Sequence, residues 1–93
     1  MKLYFSNECL GEIKNVNVEG MWVNGNIIPN KNIEKFKAFF AAIVNEENEL
    51  VEANFNKEWL DDNNWYIIDN QKEKKGIVIP AVYPDGDIYW RWR

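Results

Sequence analysis

The sequence predicts an α+β fold in which an antiparallel sheet packs on one main helix. Three observations predict it: strand-like alternation at both ends of the chain, one helical stripe of apolar residues between them, and turn signals between the strands. The 93 residues are enough for a single domain with one modest core. The expected order is N-terminal hairpins, the helix, and a C-terminal three-stranded meander.

The first strands are expected within residues 2–28. Residues 9–19 form a long strand in which Ile13 is out of phase with Val16 and Val18. An extra residue in one strand restores such a register, so we expect a β-bulge near Lys14–Asn15.

A hairpin turn is expected at Asn24–Gly25. This dipeptide stands between apolar runs, and a type I′ turn requires positive φ angles that Asn and Gly tolerate. Residues 21–23 would lead into the turn, and residues 26–28 would return from it as far as Pro29.

The main helix is expected over about 32–47, with Asn30 or Asn32 as its N-cap. Its apolar side chains follow i, i+3, i+4 spacing, and they are Ile33, Phe36, Phe39, Phe40, Ile43 and Val44. A second, shorter helix is expected over about 50–61, because Val51, Phe55 and Trp59 recur every fourth residue.

The C-terminal meander is expected from strands 65–68, 76–83 and 88–93. Pro84-Asp85-Gly86 forms its second turn. Pro80 lies in the middle strand, where a missing N–H group indicates a bulge or a sheet edge. With the turn centred on Asp85, the expected pairs are Tyr89 with Ala81, Arg91 with Ile79, and Arg93 with Ile77.

Alternation along these strands predicts two different faces. The core face is expected to consist of Val78, Val82, Ile88, Trp90, Trp92, Trp65 and Ile67. The opposite face is expected to consist of Tyr66, Ile68, Ile77, Ile79, Tyr89, Arg91 and Arg93. This second face is either a binding site, with Tyr66, Tyr89, Arg91, Arg93 and Ile79 as candidates, or a surface covered by residues 45–64 or by a second subunit.

A second candidate site is an acidic lobe within residues 45–64, where Lys57 is the only cation. Its acidic residues are Glu46, Glu47, Glu49, Glu52, Glu58, Asp61 and Asp62. Such a lobe could meet a basic partner, or it could be a solvated face that keeps the protein soluble. Basic residues at a predicted hairpin tip, Lys72, Lys74 and Lys75, suggest only a weak nucleic-acid footprint on a chain of net charge −4.

The composition excludes several classes of function. The chain has no His and no Thr, and Ser6 and Cys9 are its only Ser and Cys. A Ser-His-Asp or Cys-His site is therefore impossible within one chain, as is a four-ligand zinc site. We expect no metal, no cofactor, no membrane partner and no nucleic-acid partner. The small, Asn-rich chain is typical of bacterial or phage proteins, and without an apolar leader we expect it in the cytoplasm.

Three hypotheses of function follow. The first is a non-catalytic binding protein that occludes a protein partner, in the manner of immunity, inhibitor or anti-defence proteins. The second is a small-molecule or nucleotide binder that uses the Tyr and Arg residues of the sheet, with a homodimer as one arrangement. The third is an enzyme that uses Glu58, Asp61 or Asp62 beside a Tyr or Lys.

Overall fold

One antiparallel sheet forms most of the molecule, in a computed structural model that describes residues 1–44 and 55–93. Within this part of the chain the sheet has seven strands in the spatial order β5-β4-β1-β2-β3-β7-β6. The fold class is α+β, as predicted. The strands are β1 Lys2–Phe5, β2 Glu8–Glu19, β3 Trp22–Pro29, β4 Trp65–Ile68, β5 Lys74–Gly76, β6 Ala81–Val82 and β7 Asp87–Trp90.

The segments that follow β5 and β7 pair with each other, so that the sheet closes on itself. The residue after β5, Ile77, forms an antiparallel bridge with Trp92 beyond the end of β7. The N–H group of Val78 donates to the carbonyl of Arg91 at 2.9 Å, and the N–H group of Arg93 donates to the carbonyl of Gly76 at 3.1 Å. Closure pairs backbone groups that would otherwise lie on open edges.

The middle strand of the predicted meander is interrupted at Pro80. It is divided into β5 and β6, which confirms the expected irregularity. Tyr89 pairs with Ala81 as predicted, but beyond Pro80 the register shifts, and Ile77 meets Trp92 instead of Arg93.

This shift overturns part of the two-face prediction. A shift of one residue exchanges the faces of a strand. Ile77 is therefore buried, while Val78 and Trp92 are exposed. The prediction was right for Trp90 and Ile88, which are fully buried.

The hairpin between β2 and β3 turns at Gly20–Met21, so the predicted turn at Asn24–Gly25 was wrong. Gly20 has a φ of +62°, and Asn24 and Gly25 lie inside β3. Gly25 is needed for close packing instead: a Cβ there would lie 2.8 Å from the backbone oxygen of Lys14.

The predicted bulge in β2 is confirmed. The register between β2 and β3 shifts between Lys14 and Asn17, and Asn15 has a φ of +57°. Asn is one of the few non-glycine types that tolerate this conformation. The bulge keeps Ile13 in the core.

The main helix begins as a 3₁₀ turn, Lys31–Phe36, and continues as α1, Lys37–Val44. Asn30 caps it, because its side-chain oxygen accepts from the N–H group of Asn32 at 2.9 Å. The predicted extension to residue 47 lies outside the described residues. Residues 50–54 of the helix predicted over about 50–61 also lie outside them, and the described remainder contains a 3₁₀ turn, Lys57–Leu60.

Trp65 of β4 joins the helix to the sheet. Its ring centroid lies 5.4 Å from that of Phe36, 6.3 Å from Phe39 and 5.7 Å from Phe40. Its indole N–H donates to the carbonyl of Trp59 at 2.8 Å. Offset and edge-to-face contacts of this kind favour close aromatic packing, so one fully buried side chain holds both layers together. In residues 1–44 and 55–93, no helix combines the length and apolarity that crossing a membrane requires.

Replacing Trp65 by Phe should lower the free energy of unfolding by about 2 kcal/mol, because the smaller ring leaves a cavity and the Trp59 carbonyl loses its donor. The matched control is Trp92→Phe, which should cost less than about 1 kcal/mol, since Trp92 is 40% exposed. Urea denaturation followed by circular dichroism measures both. Equal losses would contradict the central position of Trp65.

Candidate interaction surface

Three large aromatic side chains project outward from neighbouring strands at one side of the sheet. Trp22 is 50% exposed, Tyr83 38% and Tyr89 36%. Along β3 the exposed or half-exposed residues alternate with buried ones, and Val23 pairs with Trp90, which sets Trp22 opposite Arg91. We define Trp22, Tyr83, Tyr89 and Arg91 as the aromatic face.

Contacts among these side chains order the aromatic face. The guanidinium carbon of Arg91 lies 5.7 Å from the centre of the Trp22 ring, within the range of a cation–π contact. The rings of Tyr83 and Tyr89 meet edge to face at 5.6 Å. A shallow depression of about 320 Å³ lies here, lined by Glu19, Trp22, Asn24, Ala81, Tyr83 and Tyr89.

Arg93 lies two residues from Arg91 but has a different environment. Its guanidinium donates to the carbonyl of Ile77 at 2.8 Å, to the carbonyl of Trp65 at 3.0 Å, and to the side-chain oxygen of Asn63 at 3.2 Å. The side chain also rests on Gly76, where a Cβ would overlap it. Arg93 therefore acts as a clasp across the closure of the sheet.

Tyr66 belongs to a second aromatic group. It stacks on Tyr4 of β1 with ring centroids 5.2 Å apart, and its hydroxyl donates to the carbonyl of Ser6. The ammonium of Lys74 lies 4.3 Å from the centre of its ring. Burial, and to a lesser degree the neighbouring Tyr4, raises the pKa of the Tyr66 hydroxyl.

The five residues predicted for the sheet site are thus divided. Tyr89 and Arg91 share the aromatic face, while Tyr66 stacks on Tyr4 and Arg93 forms the clasp. Ile79 is half-buried against the core, and its N–H group donates to the carboxylate of Asp62 at 3.0 Å.

The acidic lobe can be described only in part. Glu46, Glu47, Glu49 and Glu52 lie outside the described residues. Of the others, Asp61 accepts the N–H group of Asn63 at 3.0 Å, and Asp62 accepts that of Ile79. The Asp61 carboxylate thereby stabilises a local turn, the Asp62 carboxylate makes a long-range contact with residue 79, and Glu58 is exposed. Among residues 1–44 and 55–93, no cluster of three or more His, Cys, Asp or Glu side chains could hold a metal ion.

The basic hairpin tip is partly neutralised by its own turn. Lys75 pairs with Asp69 at 3.4 Å. The N–H groups of Glu73 and Gln71 each donate to the Asp69 carboxylate at 2.9 Å. The pKa of Asp69 is lowered, chiefly by the hydrogen bond from the Glu73 N–H group and then by the Gln71 hydrogen bond and the charge of Lys75. Desolvation acts in the opposite direction and raises this pKa, but it does not outweigh them.

Another depression, of about 340 Å³, lies between α1 and the turn that joins β6 to β7. Its lining is mostly apolar and includes Ile27, Ile33, Phe40 and Val82. The charged residue at its rim, Lys37, pairs with Glu34 at 2.9 Å. The depression therefore has an apolar lining, while the ammonium of Lys37 at its rim already forms an ion pair with Glu34.

Trp22 and Tyr83 were not among the residues predicted for a site. The supposed turn at Asn24–Gly25 separated Trp22 from the C-terminal strands, although the alternation of Trp22, Asn24 and Asn26 with apolar or small residues indicated an outward face. Tyr83 was read as the end of a strand, and only the observed register brings it beside Tyr89.

Comparison with models of protein families, with curated proteins and with solved structures gives no match to this chain.

The clasp formed by Arg93 can be tested by a double-mutant cycle with Gly76. Arg93→Ala should lower the free energy of unfolding by about 1–3 kcal/mol, because three hydrogen bonds to a charged donor are lost. Gly76→Ala should also destabilise, since its Cβ displaces the guanidinium, but it should cost little once Arg93 is absent. Arg91→Ala, the matched control, should change stability by less than about 0.5 kcal/mol. Additive losses at positions 76 and 93, measured by urea denaturation, would exclude the clasp.

The pKa of Asp69 predicts a pH dependence of stability. Because this pKa is lowered in the folded protein, the carboxylate contributes stability above its unfolded pKa, about 4, and the contribution is lost as the pH falls through the folded value. The difference in unfolding free energy between the wild type and Asp69→Asn should therefore shrink below about pH 4. Denaturation series at neutral and acidic pH measure it, and a constant difference would contradict the role of Asp69.

Proposed function

We propose that this chain is a non-catalytic binding protein that occludes a protein partner through the aromatic face. The observation that carries the proposal is the exposure of Trp22 beside Tyr89 and Tyr83, with Arg91 against the Trp22 ring. Exposed aromatic side chains clustered on one face of a sheet form an apolar patch, and such patches on a protein surface mark interaction sites.

The residue types of this face support a protein partner. Trp, Tyr and Arg are enriched at the few positions that dominate the binding energy of protein interfaces. Trp and Tyr also supply large contact areas while losing few rotatable bonds on binding. The sheet holds these side chains on neighbouring strands, so that little ordering is needed when a partner docks.

The absence of familiar catalytic groups supports a non-catalytic mode. The chain has no His, and Cys9 is its one thiol. The Cys9 sulfur lies 3.9 Å from the carbonyl of Gly11 in strand β2, and the carboxylates of Asp61 and Asp62 each accept a backbone N–H group. These features argue against the carboxylate enzyme considered from the sequence.

The charge of the chain supports an inhibitor-like role in the cytoplasm. A net charge of −4 can accelerate association with a partner that carries basic patches. The acidic residues of 45–64 would contribute to this long-range attraction, while the aromatic face would make the close contacts. A single unpaired Cys is compatible with a reducing compartment.

The proposal predicts that binding depends on Trp22 and Tyr89. A photo-cross-linking amino acid at position 89 should capture the partner in cells, and the same group at position 28 should not. With the captured protein purified, Trp22→Ala and Tyr89→Ala should each raise the dissociation constant about tenfold or more in calorimetry. Ile28→Ala is the matched control, because Ile28 is 53% exposed on the same strand, roughly 20 Å further along, and it should change affinity less than about twofold.

Two other outcomes would overturn this proposal. If the protein captured at position 89 is a second copy of the chain, and sedimentation equilibrium gives a dimer that Trp22→Ala dissociates, the face is a homodimer interface. If purified partners bind the Trp22 and Tyr89 variants as tightly as the wild type, the aromatic face does not bind them.

A further inference from the structure

Arg91 is a cation for which residues 1–44 and 55–93 provide no acceptor. Among the described residues, its side chain donates no hydrogen bond and forms no ion pair within 4.0 Å, and its recorded contact is the Trp22 ring at 5.7 Å. Arg93 provides the internal comparison, since its guanidinium has three acceptors. Two arginines in the same segment are thus used differently.

The position of Arg91 against Trp22 prepares it for an anion. A guanidinium that rests on an aromatic ring keeps its planar set of N–H donors available at the edge, and this set matches the two oxygens of a carboxylate. Contact with the ring also restricts the long side chain before a ligand arrives, which reduces the entropy lost on binding.

From this geometry we infer that Arg91 receives a carboxylate of the protein partner. The group next to that carboxylate, aromatic or aliphatic, fills the depression of about 320 Å³ beside Trp22 and Tyr89. This inference rests on the proposed function and names the chemistry that the partner brings to its centre: an acidic side chain, or a chain terminus, adjoining an apolar side chain.

The surrounding charges favour a carboxylate over a phosphate. Glu19 lines the same depression, and Asp85 and Asp87 line the neighbouring one beside Tyr83 and Tyr89. A phosphate monoester carries up to two negative charges and is usually held by several cations, whereas the described residues that line these two depressions include no further Lys or Arg. A carboxylate carries one charge, which a single guanidinium neutralises.

Two small probes that differ in one charge test the inference. The ¹⁵N-labelled protein is titrated with N-acetyl-L-phenylalanine, which carries a carboxylate, and with N-acetyl-L-phenylalaninamide, which does not. The first should produce saturable shifts of the Trp22 indole N–H and the Arg91 Nε–H signals, with a dissociation constant in the millimolar range. The amide should bind at least about fivefold more weakly.

The variant Arg91→Gln removes the charge and keeps a polar, although shorter, side chain. It should bind both probes equally, and its unfolding midpoint should match the wild type, because the guanidinium makes no hydrogen bond to the residues that the structure describes. Arg91→Lys should retain the preference for the carboxylate at reduced strength, since an ammonium preserves the charge without the planar donor set.

Three results would overturn the inference. They are equal binding of the two probes to the wild type, the absence of saturable shifts at tens of millimolar, and tighter binding of adenosine monophosphate than of N-acetyl-L-phenylalanine. The third would identify a nucleotide site.

If the purified partner loses affinity with Trp22→Ala but binds Arg91→Gln unchanged, the proposed function stands and the inferred carboxylate is wrong. If Trp22→Ala leaves partner binding intact while the probes still discriminate, the proposed function fails and the anion site remains.

Discussion

The closure of the sheet decides which side chains of this protein face the solvent. Residues 76–78 pair with residues 91–93, and this pairing joins the end of β5 to the segment that follows β7. It buries Ile77 and Trp90 and directs Tyr89 outward. The closure is stabilised by three long-range hydrogen bonds, which the Arg93 guanidinium donates to residues 63, 65 and 77. A short chain has few other means of protecting its strand edges.

Aromatic residues serve two separate purposes on this framework. Trp65 packs with the helix phenylalanines in the core, and its position couples the helix to the sheet. Trp22 and Tyr89 lie outside the core, where their rings are accessible to a partner. The buried rings around Trp65 contribute stability to a small domain. The exposed rings of Trp22 and Tyr89 are the basis of the proposed binding role. Substitutions in the two groups should therefore affect different properties.

The sequence was sufficient for features that depend on local chemistry. The helix, its Asn30 cap, the bulge beside Asn15 and the pairing of Tyr89 with Ala81 all follow from periodicity and turn residues. Local turn chemistry favours Asn24–Gly25, but the chain turns at Gly20–Met21. Tertiary packing overrides the local preference, since the backbone of Lys14 approaches Gly25 too closely for any side chain.

The candidate site was harder to predict because it depends on register. The shift beyond Pro80 exchanged the faces of Ile77 and Val78, and no local signal gives its size. Arg91 and Arg93 are two residues apart, and on a regular strand this spacing places both side chains on the same face. The sequence therefore assigned both to the binding site, although their neighbours in the structure differ. Arg93 donates to the carbonyls of Ile77 and Trp65 and to the side chain of Asn63, and these acceptors engage its guanidinium. Arg91 meets an aromatic ring, which engages its face and leaves its donors available. The difference between these two arginines therefore arises from the neighbours that the tertiary structure gives to each side chain.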